Sequence, residues 1–240
     1  MKRTELLESA TAPDGTSLTL HRHDGAYYLK ANGGELMTTR RHASEDRLAE
    51  VVCVPLAERN AAAPAVLIGG LGLGFTLRAA LRCLPADALV VVAEIVPEVV
   101  RWNQNAEYKL SHEALLDGRV SVYDGDVLDV IQTSRGKFDG IMLDIDNGAE
   151  AMTTAENAEL YRVAGIHSVV AALRPGGLVA YWSAVVDHEF ERALQTAGLE
   201  VSAVRVRAHD TTGPLHSIFV CRIPTRAESR GAMSGPVTAS

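Results

Sequence analysis

The chain has 240 residues, 47% hydrophobic and 22% charged, which suits one domain of ordinary size with a buried core and at most a small appendage. A formal net charge of −7 argues against a nucleic-acid partner, because phosphate backbones are held by clustered Lys and Arg. No apolar run approaches the roughly 18 residues of a membrane helix, and Glu5 and Glu8 interrupt what would have to be a signal core, so a cytoplasmic protein with no membrane partner is expected.

Short β-prone runs at 17–20, 26–30 and 35–39, separated by Asp24-Gly25 and Asn32-Gly33-Gly34, predict β-hairpins within an N-terminal region spanning 1–43. Ser44, Glu45 and Asp46 then offer a helix start, with Leu48, Val51, Val52 and Leu56 as its apolar stripe. From Ala65 the pattern becomes buried strands alternating with helices. Strand 66–69 precedes helix 76–83, strand 89–94 precedes helix 98–105, and strand 120–123 precedes a helix near 127–132. Strand 140–143 precedes a helical run from about 155 to 173, which Pro175-Gly176-Gly177 ends before strand 178–182. A helix at 189–196, a strand at 200–207, a turn at Thr212-Gly213-Pro214 and a strand at 216–222 follow. Two consecutive strands with no helix between them lie antiparallel. The expectation is an α/β chain with a doubly wound, mostly parallel seven-stranded sheet over 44–224, the Rossmann-like arrangement of class I methyltransferases. The tail, 225–240, is rich in Ala, Ser, Gly and Pro and is expected to be disordered.

The informative feature is the strand running into Gly69-Gly70-Leu71-Gly72-Leu73-Gly74 and then a helix. Glycines let the backbone turn sharply and approach a ligand closely, and the helix start presents unpaired N–H groups. The dinucleotide fingerprint GxGxxG does not fit, because Phe75 and Leu77 stand where its last glycine would fall. Gly70, Gly72 and Gly74 instead match the GxGxG first motif of S-adenosylmethionine-dependent enzymes. Glu94, at the end of the second parallel strand, is placed to accept hydrogen bonds from ribose hydroxyls. Asp126, with Asp124 as the competitor, is placed to accept from an adenine amine, or else to cap the following helix. Asp144 and Asp146 stand at the carboxyl edge of the fourth strand, where open α/β sheets bind ligands and where the chemistry is expected. His21 and His23 share a strand face without a third ligand, and Cys53, Cys83 and Cys221 lack metal or redox spacing, so no metal is expected. Trp102-Asn103 is a candidate border for the adenine, and Tyr181 and Trp182 lie near the acceptor edge.

Together, 66–74, Glu94-Ile95-Val96-Pro97, Gly125-Asp126, 138–144 and Leu173-Arg174-Pro175-Gly176-Gly177 resemble the spermidine synthase family, and the likeness extends over roughly 15–223. The resemblance implies a homodimer, with Glu94 on the ribose, Asp126 on the adenine and Asp144 in the place of the catalytic aspartate. It also has departures. The family's glycine loop carries an aspartate that holds the amine of decarboxylated S-adenosylmethionine, and here that position is Gly72. The usual glutamine after the N-terminal hairpin falls near Met37, and the acidic segment after the catalytic strand reads Asp144-Ile145-Asp146-Asn147-Gly148. The leading expectation is therefore an S-adenosyl-L-methionine-dependent methyltransferase acting on a small amine-containing or other nucleophilic metabolite. A divergent polyamine aminopropyltransferase is the alternative, and a non-catalytic dimeric scaffold is the third reading.

Overall fold

The computed structural model describes residues 3–59, 62–145, 157–184, 186–207 and 215–224. At the front, β1 (Glu5–Thr11), β2 (Ser17–His23), β3 (Ala26–Ala31) and β4 (Gly34–Thr38) pair in chain order into an antiparallel sheet. Its turns sit where the Gly dipeptides predict them. Asp24 and Gly25 have φ of 49° and 75°, and Asn32 and Gly33 have 48° and 85°, the two consecutive left-handed residues that a tight hairpin turn needs. Strand β1 has no counterpart in the sequence reading, because Glu5 and Glu8 break its apolar alternation; it forms as an edge along β2.

The connecting helix α1 (Ala43–Glu58) leads into the larger unit. There follow β5 (Ala65–Gly69), α2 (Phe75–Cys83), β6 (Leu89–Glu94), α3 (Pro97–Gln104), α4 (His112–Leu115), β7 (Val120–Asp124), α5 (Val127–Thr133) and β8 (Phe138–Leu143). The chain continues as α6 (Asn157–Leu160), α7 (Val163–Ala172), β9 (Leu173–Ser183), α8 (His188–Thr196), β10 (Glu200–Arg207) and β11 (Leu215–Arg222). The seven strands order as β10-β11-β9-β8-β5-β6-β7. β5, β6, β7, β8 and β9 are parallel neighbours, and β11 pairs antiparallel with both β9 and β10. The expected doubly wound sheet with a terminal hairpin is what the chain forms.

Central strands are covered on both faces, which is why they read as unbroken apolar runs. In β5, Val66 and Ile68 join the core shared with α1, α2, α3 and the N-terminal sheet, while Ala65 and Leu67 join the core under α5, α7 and α8. Leu18, Leu20, Leu29 and Ala31 carry the small sheet into the first core. Burying a side chain of this size stabilises by about 1.5–3 kcal/mol, so the two sheets are held as one apolar unit.

Two expectations need correction. The helical run expected from about 155 to 173 is interrupted: residues 155 and 156 lie outside the described set, and the rest divides into α6 and α7. The break comes at Arg162, whose backbone is extended (φ −84°, ψ 161°). The following strand begins at Leu173 rather than Leu178. Leu173 pairs with Phe138, and a register irregularity between Phe138 and Gly140 accommodates the Pro-Gly segment within the strand. Residues 225–240 lie outside the described residues.

Candidate active site

The glycine loop is pinned on three sides. Gly70 N–H donates to the Ala93 carbonyl and Asp144 N–H to the Gly69 carbonyl, both at 2.9 Å, tying the ends of β5, β6 and β8 together. Gly70 has φ +89°, and a Cβ there would lie 2.6 Å from the Asp144 carbonyl oxygen, so only glycine permits this approach. Beneath the loop, the Asn103 side-chain amide donates to the Gly72 carbonyl at 2.8 Å and to the Val99 carbonyl at 2.9 Å. The Ser111 hydroxyl donates to Asn103 Oδ1 at 2.7 Å and fills the space beside Gly74, which caps α2. Asn103 is thus a brace for the loop rather than an adenine border, and Trp102 is buried in the core.

Glu94 is the second anchor. Its Oε2 accepts from Leu71 N–H and its Oε1 from Val96 N–H, each at 2.9 Å. Burial pushes its carboxyl pKa up, and the backbone donors partly offset that. The Gly72 and Ile95 backbone also stabilises the carboxylate, which lines the cavity. Asp126 caps α5 by accepting from Leu128 N–H at 2.8 Å through Oδ1, which leaves Oδ2 for other partners. Capping and cavity lining therefore coexist at Asp126, whereas Asp124 is exposed at the end of β7 and does not line the cavity. Asp144 accepts from the Thr76 hydroxyl at 2.7 Å; Thr76 stands in the first turn of α2.

Of the residues singled out in the sequence, Gly70, Gly72, Glu94, Asp126 and Asp144 line one cavity of about 190 Å³, together with Trp182. Gly69 and Gly74 do not line it; they serve the loop's packing. Tyr181 points into the opposite core, fully buried. Asp146 lies outside the described residues. His21 bonds to Thr19 and His23 to Thr4, so the two do not converge.

No protein-family model and no curated protein matches the sequence. Solved structures do match. A spermidine synthase in complex with the transition state analogue AdoDATO superimposes with a TM-score of 0.70 at 14% identity, over 91% of this chain and 72% of that one. A spermidine synthase from Thermotoga maritima gives 0.71 at 15%, with the same coverages of 91% and 72%. A protein described as a probable spermidine synthase from Corynebacterium glutamicum gives 0.59 at 16%, over 90% of this chain and 79% of that one. The chain has the spermidine synthase-like fold.

Within this spermidine synthase-like fold, the small N-terminal sheet walls the cavity opposite the strand ends. Asp14, Thr16, Leu18, Leu29, Ala31 and Met37 reach it from that side. Glu45, in the first turn of α1, reaches it as well. Sequence reasoning gave none of these a ligand-facing position. In the sequence Met37 stands out as a departure from the family pattern, and Glu45 as part of a helix start and of the family-like connecting segment. The signal for Glu45 is the run Ser44-Glu45-Asp46, of which the structure buries Ser44 and Glu45 but not Asp46.

Proposed function

We propose that the chain is a transferase moving an alkyl group from an adenosyl-sulfonium donor to an amine, with decarboxylated S-adenosylmethionine as donor and an aminopropyl group as cargo. The observation that carries this is the charge of the cavity. Asp14, Glu45, Glu94, Asp126 and Asp144 line it, and among the described residues no lysine, arginine or histidine does. A carboxylate brought within 4 Å of one of these groups meets repulsion of about 4 kcal/mol at an effective dielectric of 20. Intact S-adenosylmethionine carries such a carboxylate; its decarboxylated form carries only the sulfonium and an ammonium. The resemblance to a spermidine synthase captured with a transition state analogue supports the same choice.

The lining fits a nucleoside donor in kind. In this reading Glu94 accepts from the ribose hydroxyls while its other lone pairs hold the loop, and the free oxygen of Asp126 accepts from the adenine amine. The bound donor supplies an electrophilic carbon beside its sulfonium. Asp144, steadied by Thr76, orients the acceptor amine and takes its proton as the C–N bond forms and the C–S bond breaks. Holding the amine in line is worth about 7–11 kcal/mol in well-oriented systems.

Methyl transfer from S-adenosyl-L-methionine is the second reading, favoured by Gly72, which leaves the loop without a carboxylate. Calorimetry on the purified protein with both donors and with 5′-methylthioadenosine separates the two. We expect the decarboxylated donor to bind at least tenfold more tightly than S-adenosyl-L-methionine. The reverse order would overturn the donor assignment in favour of methyl transfer. Binding of none of the three would leave only the scaffold reading.

A further inference from the structure

The loop position that would carry an ammonium-binding side chain is a glycine in this chain. Gly72 has φ +52°, and the Met37 thioether sulfur of β4 lies 2.5 Å from where its Cβ would be. The cavity nevertheless contains a buried carboxyl group that forms no ion pair among the described residues, that of Glu45, which is 8% exposed. Its one side-chain hydrogen-bond partner there is the Ser44 hydroxyl, which donates to Oε2 at 2.5 Å. Its own backbone N–H and the nearby His42 ring favour the charged form in part, but a buried carboxylate without an ion pair stays costly unless something else compensates it. Burial pushes its pKa up accordingly, and a cation arriving beside it would reverse that shift.

Its place is also specific. The His42 ring stacks on Phe75, the first residue of α2, with centroids 4.3 Å apart and planes 10° from parallel. Glu45 follows His42 by three residues, which puts it on the same side of α1. The next residue of α2, Thr76, holds Asp144. Glu45 thus faces the same cavity as Asp144, with Gly72 and Met37 in the lining between the two sheets.

We propose that Glu45 is the specificity-determining carboxylate of this site: it binds the primary ammonium on the donor's propyl arm from α1, a task that position 72 of the glycine loop cannot perform here. The assignment rests on the aminopropyl-donor reading above. It predicts that discrimination for the decarboxylated donor resides in one side chain of the connecting helix.

The test is calorimetric, on full-length wild type and Glu45→Gln, with three ligands: decarboxylated S-adenosylmethionine, S-adenosyl-L-methionine, and 5′-methylthioadenosine, which has the adenosyl group and no ammonium. Glu45→Gln should weaken the decarboxylated donor at least tenfold, leave 5′-methylthioadenosine within twofold, and shrink the ratio between the two charged donors. Unchanged affinity for the decarboxylated donor, or equal loss of all three ligands, overturns the assignment of Glu45. Should Glu45→Gln not fold, Glu45→Asp, which keeps the charge and withdraws it by one methylene, should weaken the decarboxylated donor two- to tenfold and spare the thioether; no change overturns the proposal. Failure of wild type to bind any of the three overturns the aminopropyl reading itself, an outcome distinct from a wild type that binds and a variant that binds identically.

Discussion

Gly70 and Asp144 meet backbone to backbone, and much of the site depends on that contact. A side chain at position 70 needs both a left-handed backbone and space that the Asp144 carbonyl occupies. Gly70→Ala should therefore cost about 1–3 kcal/mol, read by urea unfolding, and should abolish binding of 5′-methylthioadenosine. Thr76→Val keeps the shape beside Asp144 and removes its hydroxyl donor. If Thr76 positions a catalytic carboxylate, kcat falls about tenfold with little change in KM; a change confined to KM would mean that Thr76 only shapes the cavity. At this scale the sequence was most legible where a residue's role follows from its place on a strand. Glu94, Asp126 and Asp144 end consecutive parallel strands or begin the segments after them, and strand ends converge in this architecture. Glu45 and Met37 were not legible in the same way. They come from a helix start and a hairpin that share no sequence spacing with the glycine loop, and only tertiary packing brings them to it.

Among the elements, two helices are capped alike and differ in what lies beside the cap. Asp126 caps α5 at the cavity; Asp187 caps α8 by accepting from Glu189 N–H at 3.0 Å and Phe190 N–H at 2.9 Å, outside the cavity lining. Each Asp→Ala change should cost about 1 kcal/mol through the lost cap. Asp126→Ala alone should also weaken 5′-methylthioadenosine, so the pair separates helix stability from ligand contact in one thermal-melting and calorimetry series. The elements themselves followed their local signals where those agreed, as in the unbroken apolar run of β5 and the Gly-bearing hairpin turns. They departed where signals competed. Pro175 and two glycines read as the end of a helix, yet β9 absorbs them in an irregular stretch because Leu173 already pairs with β8.

Across the whole molecule, two sets of carboxyl groups pull stability in opposite directions with pH. The Arg119 guanidinium beside Asp117 holds that carboxyl down to about 2. Its contribution is present above its ordinary value of about 3.9 and is lost as pH falls through about 2. Asp117→Asn should accordingly lower stability at neutral pH, and the deficit should close as an acid titration passes below pH ~4. Glu45 and Glu94 are raised by burial, so what they contribute is complete below their ordinary value and is lost as pH rises through the shifted one. Glu45→Gln, which removes a buried ionisable group, should therefore melt higher than wild type at neutral pH while losing donor affinity. That opposition is expected of a side chain kept for binding rather than for folding.

The small sheet and the strand ends wall one cavity between them, with Leu29, Ala31 and Met37 on one side and Gly70, Glu94 and Asp144 on the other. Any occupant must then be released before the small sheet can unfasten. At a ligand concentration of 100 Kd, binding adds about 2.7 kcal/mol to every opening that expels it, and the amides of β3 and β4 should exchange with deuterium about a hundredfold more slowly. The N-terminal hairpins would thereby report occupancy of a site whose proposed nucleoside contacts all lie at or beyond the strand ends of the other sheet.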